Sequence, residues 1–135
     1  MNNLSARSAA SCADSKTSSL YSLFFAYFIN TCLNIFEPRE TQGDWSDIPY
    51  LLRAFQEDTV IEIKKRIDSG KDLLIDKTRE MGATWLVLAV YLHSWLFEDK
   101  FTAIVSSITE QKIDHKGNPS CLLWKFDYMV DSLKV

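Results

Sequence analysis

The spacing of apolar side chains changes character several times along the chain, and each change predicts a different element. Leu52, Phe55, Val60, Ile63 and Ile67 recur at roughly helical spacing, with Glu57, Asp58, Glu62, Lys64, Lys65 and Arg66 mostly between them, which predicts an amphipathic helix. Gly70 stands where a C-terminal glycine would stop it. From Ala83 to Phe97 the chain is apolar almost all round, the pattern of a helix buried between layers. Two short apolar runs flank that helix, Asp72 to Lys77 (DLLIDK) and Phe101 to Ser106 (FTAIVS). Read as strands, they give the order β–α–β and therefore an α/β fold with a parallel pair and a right-handed crossover. Leu122, Leu123, Phe126, Met129, Val130 and Leu133 make one face of a last helix, with Asn118 and Pro119 as its expected cap and first-turn residue.

The N-terminal part reads differently. Residues 1–19 are Ser, Ala, Asn and Thr with few large apolar side chains, which is the composition of a flexible tail. The run Leu20 to Phe36 (LYSLFFAYFINTCLNIF) predicts a mostly buried helix preceding the α/β part. As a membrane span it fails, since about 20 apolar residues are needed and Asn30, Thr31 and Asn34 interrupt it before Glu37, Pro38 and Arg39. No small-residue cleavage pattern follows it, so it also fits a signal peptide poorly. Glu37 to Pro49, with two prolines and Gly43, reads as a surface connection.

Composition narrows the function classes. With 47% hydrophobic and 13% aromatic residues among 135, the chain has enough apolar material for one domain with a core. A net charge of −3 excludes a self-sufficient nucleic-acid-binding module held by phosphate neutralisation. Cys12, Cys32 and Cys121 are odd in number and unpaired in spacing, which argues against a disulfide framework or a zinc site and fits a reducing cytoplasm. His93 and His115 have no partner at ligand spacing, so neither is read as a metal ligand. Trp85, Trp95 and Trp124 read as packing residues on apolar helices.

The segment Asp76 to Thr84 (DKTREMGAT) lies between the expected strand and helix, where a phosphate-binding loop belongs. Against G-x-x-x-x-G-K-[ST], Gly82 and Thr84 hold the second glycine and hydroxyl places, while Lys77 stands at the first glycine and Ala83 at the lysine. The physical requirements are met with the lysine displaced. Backbone N–H groups of Glu80, Met81, Gly82, Ala83 and Thr84 at a helix N-terminus can cradle phosphate oxygens. Gly82 permits close approach, Thr84 can offer its hydroxyl to Mg²⁺, and Lys77 can reach the β and γ phosphates from the strand side.

This string, KTREMGATW from Lys77 to Trp85, resembles the deviant Walker A loop K-[ST]-R-x-M-G-x-[ST]-W of phage terminase large subunits, the ATPases that drive DNA packaging. The likeness continues in Phe28 to Thr31 with Glu37 to Arg39, in Ile48 to Tyr50 through Phe55 and Gln56 (the family's adenine-recognising Q motif), and in Ser120 to Leu133 (SCLLWKFDYMVDSL). About residues 24–135 are covered. The resemblance implies a P-loop NTPase of the RecA/helicase-like kind, with ATP and Mg²⁺ as cofactors, a bacterial host cytoplasm, and viral DNA, the portal protein and the small terminase subunit as the intact family's partners. It carries adenine recognition onto Gln56, phosphate contact onto Lys77, and a γ-phosphate-sensing role onto Arg79; the alternatives are an exposed first-turn glutamine, a strand-end lysine in solvent and a plain surface arginine.

A packaging motor also needs an acidic strand end for Mg²⁺ and a carboxylate to activate water. No apolar run ending in Asp-Glu follows Phe101 to Ser106. The expectation is therefore an incomplete parallel sheet, residues 20–135 forming the N-terminal portion of the ATPase domain, truncated before the Walker B strand, with no catalytic residue assigned and no turnover. The alternatives are a non-enzymatic interaction protein and a small membrane-associated protein.

Overall fold

The computed structural model describes residues 23–36 and 47–133. In chain order these form helix α1 over residues 23–32, strands β1 (Asn34–Phe36) and β2 (Asp47–Pro49), and helices α2 (Ala54–Ser69), α3 (Ala83–Phe97), α4 (Glu110–Ile113) and α5 (Leu122–Asp131). The tail expected over residues 1–19 lies outside the described residues.

Helix α3 organises the rest, because it has no Asp, Glu, Lys or Arg and can turn every face to a neighbour. Leu86, Leu88, Ala89, Val90 and Leu92 are buried along it. Helices α2 and α5 both pack on it, and α1 contributes Phe25, Phe28, Ile29 and Leu33 to the same core. Helix α2 buries Gln56, Val60 and Ile63 and ends as expected at Gly70, whose φ of 61° lets its N–H reach the Ile67 carbonyl. Met129 of α5 is fully buried, with Phe126, Val130 and Leu133 packed beside it.

Four expectations are corrected. The N-terminal helix ends at residue 32, and Asn34–Phe36 pairs antiparallel with Asp47–Pro49, in the register Ile35 opposite Ile48. The side chains of Asn30 and Asn34 mark that change: Asn30 accepts from Leu52 N–H at 2.7 Å and Asn34 donates to Asp47 at 2.9 Å. Asn118 caps a turn rather than α5. Its carboxamide accepts from the Ser120 N–H and hydroxyl, as an Asx turn does, and α5 begins at Leu122. Trp95 is 55% exposed, its edge on Phe126, rather than core.

The fourth concerns the sheet. Residues 71–78 and 101–107 form no ladder, so the only sheet among the described residues is the antiparallel β1–β2 pair, not a parallel one. Both segments keep strand-like alternation: Ile75 and Val105 pack against the core, whereas Leu74 and Ile104 are 94% and 91% exposed. Strands of a parallel sheet need neighbours on their edges and cover on both faces. Here α3 covers one face, and a cavity of about 340 Å³ lies between Ile75 and Lys77 on one side and Ile104, Val105 and Ser106 on the other.

Candidate phosphate-binding loop

The chain from Asp76 to Thr84 leaves an extended segment and enters α3 through a turn in which Glu80 (φ 66°) and Gly82 (φ 72°) are both left-handed. Gly82 is the N-cap of α3. Having no side chain, it leaves the N–H groups of the first turn uncapped by the usual Ser, Thr, Asp or Asn, which is the condition for receiving an anion there. The expected passage from loop to helix at Gly82 is thus observed.

Lys77, Ala83 and Thr84 line the cavity below the extended segment. Lys77 and Ala83 also line a second cavity of about 450 Å³, with Phe55, Thr59, Asp76, Thr78 and Met81. The lysine therefore stands between two hollows, one also lined by Thr84 and one facing the start of α2. Arg79 and Glu80 are exposed on the turn and line neither cavity.

Gln56 is placed differently from an outward-facing base reader. It is 7% exposed, its Oε1 accepts from Arg53 N–H at 2.9 Å, and its Nε2 donates to the Met81 carbonyl at 3.2 Å. A Cβ placed on Gly82 would lie 3.1 Å from that nitrogen and 3.9 Å from the Tyr50 hydroxyl. The Tyr50 hydroxyl is buried with no hydrogen-bond partner, and burial pushes its pKa above the usual tyrosine value. Neither the Gln56–Met81 bond nor the orphan hydroxyl was signalled by the local sequence.

Each cavity is within the range of small-ligand sites, and Lys77, Ala83 and Thr84 all line the one at the start of α3. Among the described residues no group of three or more Asp, Glu, His or Cys is placed to hold a metal ion. Comparison of the chain with protein-family models, curated proteins and solved structures finds no match.

His93 lies at the other end of α3 and is only 5% exposed. The rings of Phe24, Phe25, Phe28 and Phe97 surround it, and neither ring nitrogen has a hydrogen-bond partner. Burial holds its pKa down at about 4, against the nearby Glu98 carboxylate, which favours the charged form. Among the described residues no helix is long and apolar enough to cross a membrane.

Proposed function

We propose that this chain is an ATP-binding portion of a motor of the phage terminase large subunit type, an incomplete P-loop domain that holds Mg-ATP without turning it over. The observation that supports it best is the meeting of Lys77 and Thr84 in one cavity at the glycine-capped start of α3. In this reading the N–H groups of residues 80–84 and the α3 dipole hold phosphate oxygens. Lys77 would pair with the phosphates and Thr84 would offer its hydroxyl to the metal. Arg79, exposed on the turn, is free to swing toward the γ-phosphate. Bound Mg²⁺ supplies neutralisation of the phosphate charge. Hydrolysis is not expected, because metal charge held by an acidic strand end and water oriented by a carboxylate supply most of the rate in phosphoryl transfer. DNA, portal protein and small subunit would be partners of the complete motor in a bacterial host cytoplasm.

A second reading, a non-enzymatic interaction protein, is favoured by the exposure of Leu74, Ile104 and Ile108. The two separate on one lysine. Titration of a fluorescent ATP analogue with Mg²⁺ should show binding by the wild type that is weakened at least tenfold in Lys77→Ala, with phosphate release no higher than a no-protein control. Equal binding by the two proteins overturns the role of Lys77 and favours the interaction protein.

A further inference from the structure

We propose that Gln56 is a positioning residue: its amide tethers the phosphate-binding loop to the start of α2, and it acts on bound nucleotide through the loop backbone rather than by reading the base. This inference rests on the nucleotide-binding reading of the Lys77–Thr84 loop.

The case begins with what the amide has left to offer. Bidentate recognition of adenine by a carboxamide needs a donor and an acceptor presented side by side to the ligand. In Gln56 the oxygen is held by Arg53 N–H as half of a capping box at the N-terminus of α2. The nitrogen donates across 25 residues to the Met81 carbonyl. With 7% exposure, the group faces inward, and Gly82 passes so close to Nε2 that no larger residue fits at that φ without moving it.

The loop needs such a tether. Residues 71–78 have no ladder partner to fix them, and the turn holds two left-handed residues, one of them Glu80, which lacks glycine's tolerance of that region. Fixing the Met81 carbonyl inward, toward α2, sets the peptide plane that it shares with the Gly82 N–H. That plane helps to decide whether the N–H groups at the start of α3 converge on one point. A phosphate chain held in part by backbone amides is sensitive to that convergence whatever base is attached to it. Gln56 thus governs affinity for the triphosphate, equally for any base.

The test uses Gln56→Glu, which keeps an oxygen for Arg53 N–H but has no N–H for Met81, and Gln56→Met, which is uncharged and of similar size. Binding of fluorescent ATP and GTP analogues, and competition by inorganic tripolyphosphate, are measured with Mg²⁺ on the wild type and both variants. Amide hydrogen exchange over residues 79–86 is followed without ligand. Both variants should lose roughly three- to tenfold in affinity for all three probes alike, about what one buried hydrogen bond contributes, and should exchange faster over residues 79–86. A loss confined to the ATP analogue overturns the proposal in favour of base reading. Unchanged exchange with intact binding of every probe overturns the tether while leaving the nucleotide reading standing. Failure of the wild type to bind any of the three probes removes the nucleotide reading and, with it, this role.

Discussion

Phe25 and His93 lie with ring centroids 3.8 Å apart and planes tilted by 32°, so the first described helix rests its aromatic face on an imidazole that has no hydrogen-bond partner. Besides the rings, the charged groups that bear on this histidine are Glu98 and Lys64, themselves paired at 3.0 Å.

Because the folded-state pKa of His93 is about 4 and the unfolded value is near 6.5, the unfolded chain binds the extra proton first. Stability is then fully present above about pH 6.5 and is lost as pH falls toward 4, by up to about 3 kcal/mol at 1.36 kcal/mol per pKa unit. Urea denaturation at pH 7 and pH 4.5 measures it. In His93→Leu the loss over that interval should shrink by most of that amount, leaving the carboxylate contributions; an unchanged slope would show that His93 titrates normally in the fold.

Gly82 and Gly70 are both left-handed, with φ of 72° and 61°, but only Gly82 has a neighbour within reach of an added methyl. Gly70→Ala should cost about 1 kcal/mol for the strained conformation alone. Gly82→Ala should cost about 2–3 kcal/mol, since Gln56 Nε2 must also give way and its bond to Met81 weakens. Chemical denaturation of the two variants side by side checks the difference, and equal costs would count against the close packing of Gln56 beneath the loop.

Leu74 and Ile104 expose apolar side chains from extended segments that lack ladder partners, an arrangement that favours edge-to-edge association. Leu74→Lys and Ile104→Lys should each leave stability within about 0.5 kcal/mol while lowering self-association in sedimentation velocity at high protein concentration. A large loss of stability would mean that these positions are covered.

Helices α2, α3 and α5 were legible because their evidence is local: Val60, Ile63 and Ile67 repeat within one helix, Gly70 stops it, and Ala83 to Phe97 has no charge to turn outward. Strands β1 and β2 were not, since Asn34–Phe36 reads as the continuation of an apolar helix until its partner is known, and that partner, Asp47–Ile48–Pro49, contains a proline. The apolar runs around Leu74–Ile75 and Ile104–Val105 were read as strands, yet only Ile75 and Val105 pack against the core while Leu74 and Ile104 are exposed. A ladder, however, depends on neighbours that no local pattern supplies. At the candidate site, the loop's entry into α3 at Gly82 followed from spacing. The inward hold of Gln56 on Met81 spans 25 residues, and the buried Tyr50 hydroxyl lies beneath Gly82 from a different segment again.

Asp47 is gripped from two directions: Asn34 of β1 donates to one carboxylate oxygen and the Tyr128 hydroxyl of α5, 81 residues further on, donates to the other at 2.8 Å. Phe36 meets Trp124 and Tyr128 edge-on in the same place. A ribosome making this chain delivers the hairpin early and its keystone late. Until α5 emerges, Phe36 and the face of α3 that receives Met129 wait uncovered, since domains close as units during synthesis. The interval between Asp47 and Tyr128 is therefore a vulnerable period in which a chaperone or a protease would find the nascent protein open.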